Sequence, residues 1–415
     1  MMGKILILGG GFGGIRAALD LEKRLGDSAS ITLIDKNGYH AFTPSLYEVA
    51  TADGVFGDSF NMRLRKTICI PHADIFKNKK INFIQGEVVR VDLERKTVYT
   101  RGEGEFNYDY LIIGLGSEPA NFDIPGVADY AYQFKTIEHG LMINQRLESI
   151  FSDIKENRRG QGMRIVVAGG GFTGIEFAAE VAVSVRRMAR EYGINQRAVQ
   201  LTIIEASDRI LPDISDGDRR IIIDRLTGLG VVVVAGTRVQ EVDPDFIKLS
   251  NGQTLTSDLT AWTAGIRPNR FLKEIIGLAL TEQGKIIVDE HLNTAADPTV
   301  FAVGDAVEFI DHRTKKSEPS LAYVAINHGK IVAENIIQSI NKKEFKSHLP
   351  FTQVWVAPVG GKFAVAHLGS FGTFKGTLGW IIRGLVDLRY FMSILPWLNA
   401  LRLFREDVEV FTKND

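Results

Sequence analysis

Two glycine-rich turns, each entered from an apolar strand and each answered by an acidic residue at the end of a later strand, stand 160 residues apart in this chain. In the first, Lys4-Ile-Leu-Ile-Leu8 leads into Gly9-Gly10-Gly11-Phe12-Gly13-Gly14, and the strand Ile31–Ile34 closes on Asp35. In the second, Arg164-Ile-Val-Val-Ala168 leads into Gly169-Gly170-Gly171-Phe172-Thr173-Gly174, and Leu201–Ile204 closes on Glu205. The first glycine of such a motif allows the tight turn, the second admits a pyrophosphate to the backbone, and the third lets helix pack on strand. The phosphates then face a helix N-terminus, where unpaired N–H groups favour anions. One GxGxxG is a weak signal, but two in the same strand–turn–helix–strand–acid setting imply two bound dinucleotides.

A chain of 415 residues exceeds what a single core usually supports, so two or three domains are expected. Lysine plus arginine number 49 against 50 aspartates and glutamates, with no basic stripe, which gives no general attraction to nucleic acid. Cys69 is the single cysteine, so neither an internal disulfide nor a CxxC redox pair can form. The eight histidines show no metal-ligand spacing, and no metal is expected. A first strand beginning at Lys4 leaves no room for a cleaved leader.

Between the two turns, residues 81–100 alternate in strand fashion and Tyr108–Gly116 reads as a buried strand ending in glycines. After the second turn the same order recurs, through Val231–Val234 and Ile247–Leu249 to Leu259–Gly265, and the chain then returns to Val300–Ala306. This order predicts an α/β protein of two Rossmann-like dinucleotide-binding domains, one inserted in the other. Residues 1–118 and 267–345 form the outer domain, 119–266 the inserted one, and 346–415 a C-terminal tail.

These features resemble the two-dinucleotide-binding flavoprotein superfamily, and closer motifs resemble its type II NADH dehydrogenases, single-chain NADH:quinone oxidoreductases that pump no protons. The most discriminating stretch is Tyr39-His40-Ala41-Phe42-Thr43-Pro44-Ser45-Leu46-Tyr47-Glu48-Val49-Ala50, which is similar to the family segment beside the flavin ring. The resemblance implies FAD in the outer domain, held by Gly9, Gly11, Phe12, Gly13, Gly14, Asp35, Lys36, His40, Thr43, Pro44, Gly116, Gly304, Asp305 and Ala322. It implies NADH in the inserted domain, on Gly169, Gly171, Phe172, Thr173, Gly174, Glu176, Glu205 and Gly265. Hydride transfer between the two needs stacked rings and little side-chain chemistry.

By the same resemblance Glu176 approaches the nicotinamide and quinone region; its alternative role is a favourable charge at the helix N-terminus. Near the quinone site the family carries A-Q-x-A-x-Q-x-G, where this chain reads Ala322-Tyr323-Val-Ala325-Ile-Asn327-His328-Gly329. Both glutamines are replaced. Tyr323 and Asn327, four apart on a predicted helix, share a face and can each donate to a carbonyl; the alternative is core packing with one surface polar group.

The tail from Leu378 to Arg405 is apolar and aromatic but is broken by Arg383, Asp387, Arg389 and Pro396, short of the ~20 residues a spanning helix needs. Trp380, Tyr390, Phe391, Trp397 and Phe404, interleaved with arginines, predict an amphipathic membrane-associating region whose rings sit at headgroup level and whose cations meet anionic lipid. A lid over the nucleotide domains or a dimer contact is the alternative. A lipid-anchoring tail is expected to be separable, so a chain ending near Thr377 should keep its flavin. The expected partners are a membrane quinone (ubiquinone or menaquinone) and the bilayer surface, with a homodimer compatible, at the cytoplasmic face in respiratory electron transport. Rival readings are a soluble reductase of a ferredoxin- or rubredoxin-type acceptor and a flavin-binding redox sensor.

Overall fold

In the computed structural model, which describes residues 3–52, 65, 67–160, 162–195, 198–350 and 354–411, the two glycine turns lead out of two separate parallel sheets. The first has Gly3–Leu8 near its centre, flanked by Ala29–Asp35 and Tyr110–Ile113, with Ile81–Gln85 at one edge and Asp297–Ala302 beyond Tyr110–Ile113. A short antiparallel strand, Asn293–Thr294, closes the other edge. The second sheet runs Tyr132–Gln133, Leu259–Trp262, Met163–Ala168, Val199–Ile204, Val231–Val234, all parallel. The central strands are continuous Val, Ile and Leu because both their faces are covered.

Each sheet carries an antiparallel three-stranded appendage, Val88–Asn107 on the first and Val239–Thr256 on the second, so the chain repeats one plan twice. The chain crosses between sheets at Ser117–Pro119 and returns at Ile266–Pro268, and these two segments pair antiparallel.

The described part of the tail begins with a meander, Val354–Pro358, Ala364–Leu368 and Thr373–Gly376, followed by two helices, Thr377–Ile394 and Trp397–Phe411, that turn at Pro396. Along the first of these helices Gly379, Arg383, Asp387 and Phe391 recur every fourth residue and face inward, while Leu378, Ile381, Leu385 and Met392 are exposed. Phe391, Ile394, Leu395, Ala400 and Leu403 belong to the same core as the first sheet. The segment that carries helix Leu46–Thr51 sits instead in the core around the second sheet. The tail and that segment thus tie both cores together.

Candidate active site

At both turns the backbone meets the conditions for a pyrophosphate. Gly9 and Gly169 have φ of 104° and 118°, and a Cβ on Gly14 or Gly174 would lie 2.0 Å from the carbonyl oxygen of Gly9 or Gly169 respectively. Those positions accept only glycine. By contrast, a Cβ on Gly11 or Gly171 would meet nothing within 4 Å, so open space lies at the N-termini of helices Phe12–Leu25 and Phe172–Glu191. This is a cradle that fits a phosphate.

The acids are placed alike. Asp35 accepts from Gly10 N–H (2.6 Å) and Asn37 N–H (2.7 Å), and Glu205 from Gly170 N–H (2.6 Å) and Ser207 N–H (2.7 Å). Each carboxylate is fixed at the mouth of its turn, where a ribose hydroxyl would come. Arg209 lies 3.4 Å from Asp208 and 3.6 Å from Asp216, so its charge already has partners.

Gly304 and Asp305 follow the strand Asp297–Ala302, and Val303 of that connection lies under Gly13. Asp305 accepts from Ser117 Oγ (2.6 Å) and lies 3.3 Å from Lys135 Nζ, which also donates to Ser117 (2.8 Å). The inserted domain thus supplies a cation to the outer domain's motif. Gly116 accepts from Asn269 N–H (3.1 Å) beside the crossing strands, and Ala322 opens the helix Ala322–Ile340. Lys36 and Thr43 are exposed. Phe172 packs 5.5 Å from Trp355, Thr173 is exposed in the first turn of its helix, and Gly265 lies against the ring of Phe122.

His40 lies beneath the first turn, with Nδ1 3.3 Å from the Gly10 carbonyl and Nε2 2.8 Å from the Tyr390 hydroxyl. A carbonyl only accepts, so Nδ1 carries the proton and Tyr390 donates to Nε2. Burial, with His72 as neighbour, lowers the imidazole to about 3, and it is neutral. The ring of Tyr390 completes a cluster with Phe12 (5.1 Å) and Phe42 (5.5 Å).

Arg383 meets the same segment one turn further on. Its guanidinium donates to Pro44 O (3.3 Å) and Ser45 Oγ (3.1 Å), pairs with Glu48 (3.3 Å), and lies over the Tyr47 ring. The tail therefore departs from the sequence expectation in two respects. Arg383 and Tyr390 turn toward the protein and not toward lipid, and Phe391 is wholly buried. An arginine among apolar residues reads as lipid-facing only while its buried partners, some 335 residues away, are unknown. The lid and the amphipathic readings are two faces of one helix.

Of the three residues singled out for chemistry, Glu176 and the Tyr323–Asn327 pair occupy different surroundings. Glu176 is half-buried; burial raises its carboxyl to about 8, with Arg383 opposing and Asp387 adding to the shift. Tyr323 and Asn327 stand one turn apart on helix Ala322–Ile340, both half-buried, and burial beside Glu318 pushes the Tyr323 hydroxyl up to about 12. Tyr323 is therefore a proton-bearing donor at neutral pH.

Next to them the fold assembles a group that spacing did not show: Glu318, His328 and His348, all buried, with ligand-type atoms within 4.8 Å of one another. Gly304 N–H donates to His328 Nδ1 (3.2 Å), which places the proton on Nε2, and that atom donates to Glu318 Oε2 (3.0 Å). His348 Nε2 lies 2.9 Å from the same oxygen. Burial would raise the Glu318 carboxyl, but the two imidazole hydrogen bonds outweigh it and bring it down to about 2. The geometry is that of a hydrogen-bonded unit anchoring Gly304, because an Nε2 that carries a proton offers no lone pair to a metal.

The family model for pyridine nucleotide-disulphide oxidoreductases matches residues 3–329. The type II NADH:quinone oxidoreductase of Staphylococcus haemolyticus is 30% identical over 344 residues, 81% of this chain and 83% of that protein. The protein of the same name from Staphylococcus aureus strain NCTC 8325 is 27% identical over 381 residues, 87% of this chain and 92% of its own. Among solved structures, NDH2 from Plasmodium falciparum in complex with NADH superposes with a TM-score of 0.84 at 20% identity, covering 99% of each chain, which speaks to the fold. With both glycine cradles, both carboxylates and the whole length of the fold in place, this chain belongs to the type II NADH:quinone oxidoreductases, within the pyridine nucleotide-disulphide oxidoreductase family.

Proposed function

We propose that this chain passes electrons from NADH through FAD to a membrane quinone while lying on the bilayer surface, with Glu176, Tyr323 and Asn327 acting at the site where rings and acceptor meet. NADH:quinone oxidoreduction with FAD is the reaction of the family to which the chain belongs. A soluble ferredoxin-type reductase is not favoured. Bound FAD supplies the hydride acceptor and the two-electron donor. Gly9, Gly14 and Asp35 would hold it at one turn, Gly169, Gly174 and Glu205 would hold NADH at the other, and the half-buried Tyr323 and Asn327 would offer hydrogen bonds to a quinone carbonyl.

The observation that carries the membrane part is the two-faced tail. Among the described residues no helix is long and apolar enough to cross a membrane. Yet Leu378, Ile381, Leu385, Val386, Met392, Trp397, Leu398 and Leu401 are exposed on the two helices whose inner face carries Tyr390 and Arg383 to the flavin-side segment. An exposed apolar patch of this kind marks an interaction surface. An acceptor dissolved in lipid favours the bilayer as occupant, at the cytoplasmic face in this reading, and a homodimer is compatible with it. NADH oxidation measured with and without a short-chain quinone tests the reaction. Fast quinone-dependent turnover is expected; turnover only with an iron–sulfur carrier, or none with any acceptor, would overturn it.

A further inference from the structure

Beside the first glycine turn the two domains meet in a charged contact. Asp305 stands in the turn Gly304–Ala306, just beyond the carboxyl end of strand Asp297–Ala302, and Ser117 stands beyond the end of the neighbouring strand Tyr110–Ile113. Nucleotides bind outside the carboxyl ends of such parallel strands. Val303 fixes the approach, since a Cβ on Gly13, in the first turn of helix Phe12–Leu25, would lie 2.9 Å from its Cγ2. Ser117 Oγ donates to Asp305 Oδ2 (2.6 Å), Lys135 Nζ donates to Ser117 Oγ (2.8 Å), and Lys135 Nζ also reaches Asp305 Oδ2 (3.3 Å). The three contacts close a triangle on one carboxylate oxygen and leave Oδ1 outside it.

Lys135 belongs to the inserted domain, between Tyr132–Gln133, the edge strand of the second sheet, and helix Ile137–Lys155. The start of that helix fixes its backbone. His139 Nδ1 accepts from the N–H groups of Lys135 and Thr136, each at 3.3 Å, and Thr136 Oγ1 accepts from His139 N–H (3.3 Å), which makes a reciprocal cap. The Lys135 and Asp305 side chains are 27% and 22% exposed, so their charges meet in a partly desolvated space. From within the outer domain the motif is held at its other residue, where His328 Nδ1 accepts from Gly304 N–H (3.2 Å). The cation that faces Asp305 comes from the other domain.

A carboxylate beside a cofactor that carries a pyrophosphate repels it unless a cation compensates the charge, and removing one partner of a partly buried pair leaves the other uncompensated. We propose that Lys135 is a positioning residue for the flavin: it neutralises Asp305 and holds its Oδ2, so that Oδ1 is turned to accept from a hydroxyl of the cofactor, and it makes FAD affinity depend on the inserted domain. The inference rests on the placement of FAD at the first glycine turn. Lys135 acts through Asp305 and not by touching the cofactor.

The test compares FAD retention, read by flavin fluorescence as the FAD-loaded full chain is diluted, for the parent, Lys135→Met, Lys135→Arg, Asp305→Asn and the Lys135→Met/Asp305→Asn double variant. Lys135→Met should weaken binding about tenfold or more, because it strands a carboxylate, whereas Lys135→Arg keeps the charge and should stay within about threefold of the parent. Asp305→Asn sheds the charge but keeps an acceptor oxygen, so adding it to Lys135→Met should recover at least about threefold of what was lost. A side chain that only packs would not be rescued by a second loss at its partner. Lys135→Met holding FAD like the parent, Lys135→Arg binding as weakly as Lys135→Met, or a double variant no tighter than Lys135→Met would overturn the proposal. Should Lys135→Met not fold, Lys135→Gln carries the same comparison. Gly14→Ala, which sets a Cβ 2.0 Å from the Gly9 carbonyl oxygen, reports on the placement of the cofactor separately: if that variant keeps its FAD, the placement is wrong, whatever the Lys135 variants do.

Discussion

The Tyr390 hydroxyl, on the first tail helix, donates to His40 Nε2 at 2.8 Å across 350 residues of sequence, and the other nitrogen of that imidazole is bound to the carbonyl of Gly10 in the first glycine turn. The tail thereby reaches the backbone that holds the flavin pyrophosphate in this reading. Tyr390→Phe removes one hydrogen bond to a buried acceptor and should cost about 1 kcal/mol, weakening FAD binding roughly 2–10-fold. Tyr390→Ala also removes a ring packed on Phe12 and Phe42 and should cost about 3 kcal/mol, above a hundredfold. Flavin fluorescence on dilution measures both. Equal losses for the two variants would show that the hydroxyl contributes nothing.

Two pairs of buried groups should tie stability to pH in opposite senses. Burial lowers His40 to about 3 and His72 to about 4, so between those values and the ordinary histidine value near 6.5 the unfolded chain binds more protons than the folded one. Stability is lost as pH falls from about 6.5, at roughly 1.4 kcal/mol per unit for each group. Glu176 and Asp407 act in the opposite sense: raised to about 8 from ordinary values of 4.5 and 3.8, they keep protons that the unfolded chain has released, and stability is lost as pH rises through that range toward 8. Denaturant midpoints from pH 4 to 9 should show Asp407→Asn flattening the alkaline limb and His40→Asn the acid one. Unchanged limbs would mean that these groups do not titrate as placed.

Both turns, both carboxylates and the order of strands were readable from local pattern, because a glycine that must touch a carbonyl and an acid that must cap a turn leave a signature within 25 residues in one copy and 35 in the other. Arg383, Tyr390 and Lys135 left none. Their meaning lies in partners such as Glu48, His40 and Asp305, which only folding brings near. The Glu318–His328–His348 unit escaped for the same reason, since His348 meets Glu318 from 30 residues away without any ligand spacing. Aromatic residues interleaved with arginines in the tail gave an amphipathic segment, but not which of its charges face inward.

NADH should be preferred to NADPH. Glu205 is held by two backbone N–H groups, and Arg209, the nearby cation that could have welcomed a 2′-phosphate, already has Asp208 and Asp216. A phosphate about 4 Å from the carboxylate would cost up to about 4 kcal/mol at an intermediate dielectric and less near solvent, so roughly a hundredfold in kcat/KM is expected. Glu205→Ser should narrow the gap. Equal kcat/KM for both nucleotides in the parent would mean that the carboxylate does not meet the ribose.

Replacing Tyr323 or Asn327 with Ala should raise the quinone KM or lower turnover while leaving flavin reduction by NADH unchanged. Each side chain is half-buried on helix Ala322–Ile340, and each loses one donor to a carbonyl, worth about 1 kcal/mol or roughly fivefold. Stopped-flow traces of the two half-reactions separate the outcomes. Equal changes in both would assign the pair to packing.

The two faces of the tail predict that deletion and surface substitution behave oppositely. A chain ending at Thr377 loses Phe391, Ile394, Leu395, Ala400 and Leu403 from the outer domain's core, together with the Tyr390–His40 and Arg383–Glu48 contacts, so it should aggregate and shed FAD. This reverses the expectation of a separable anchor. Trp397→Ala/Leu398→Ala removes only side chains that are 62% and 61% exposed, and should leave flavin content intact. At about 1.5–3 kcal/mol for each apolar side chain taken out of the membrane, vesicle binding should weaken a hundredfold or more. Salt should matter little, because Arg402 and Arg405 are each paired with a glutamate one turn on, at 2.9 Å, which leaves less charge for anionic lipid than the sequence suggests. Vesicle flotation with flavin absorbance reads both quantities at once. A truncated chain that keeps its FAD, or a double variant that floats like the parent, would show that the faces have been assigned the wrong way round.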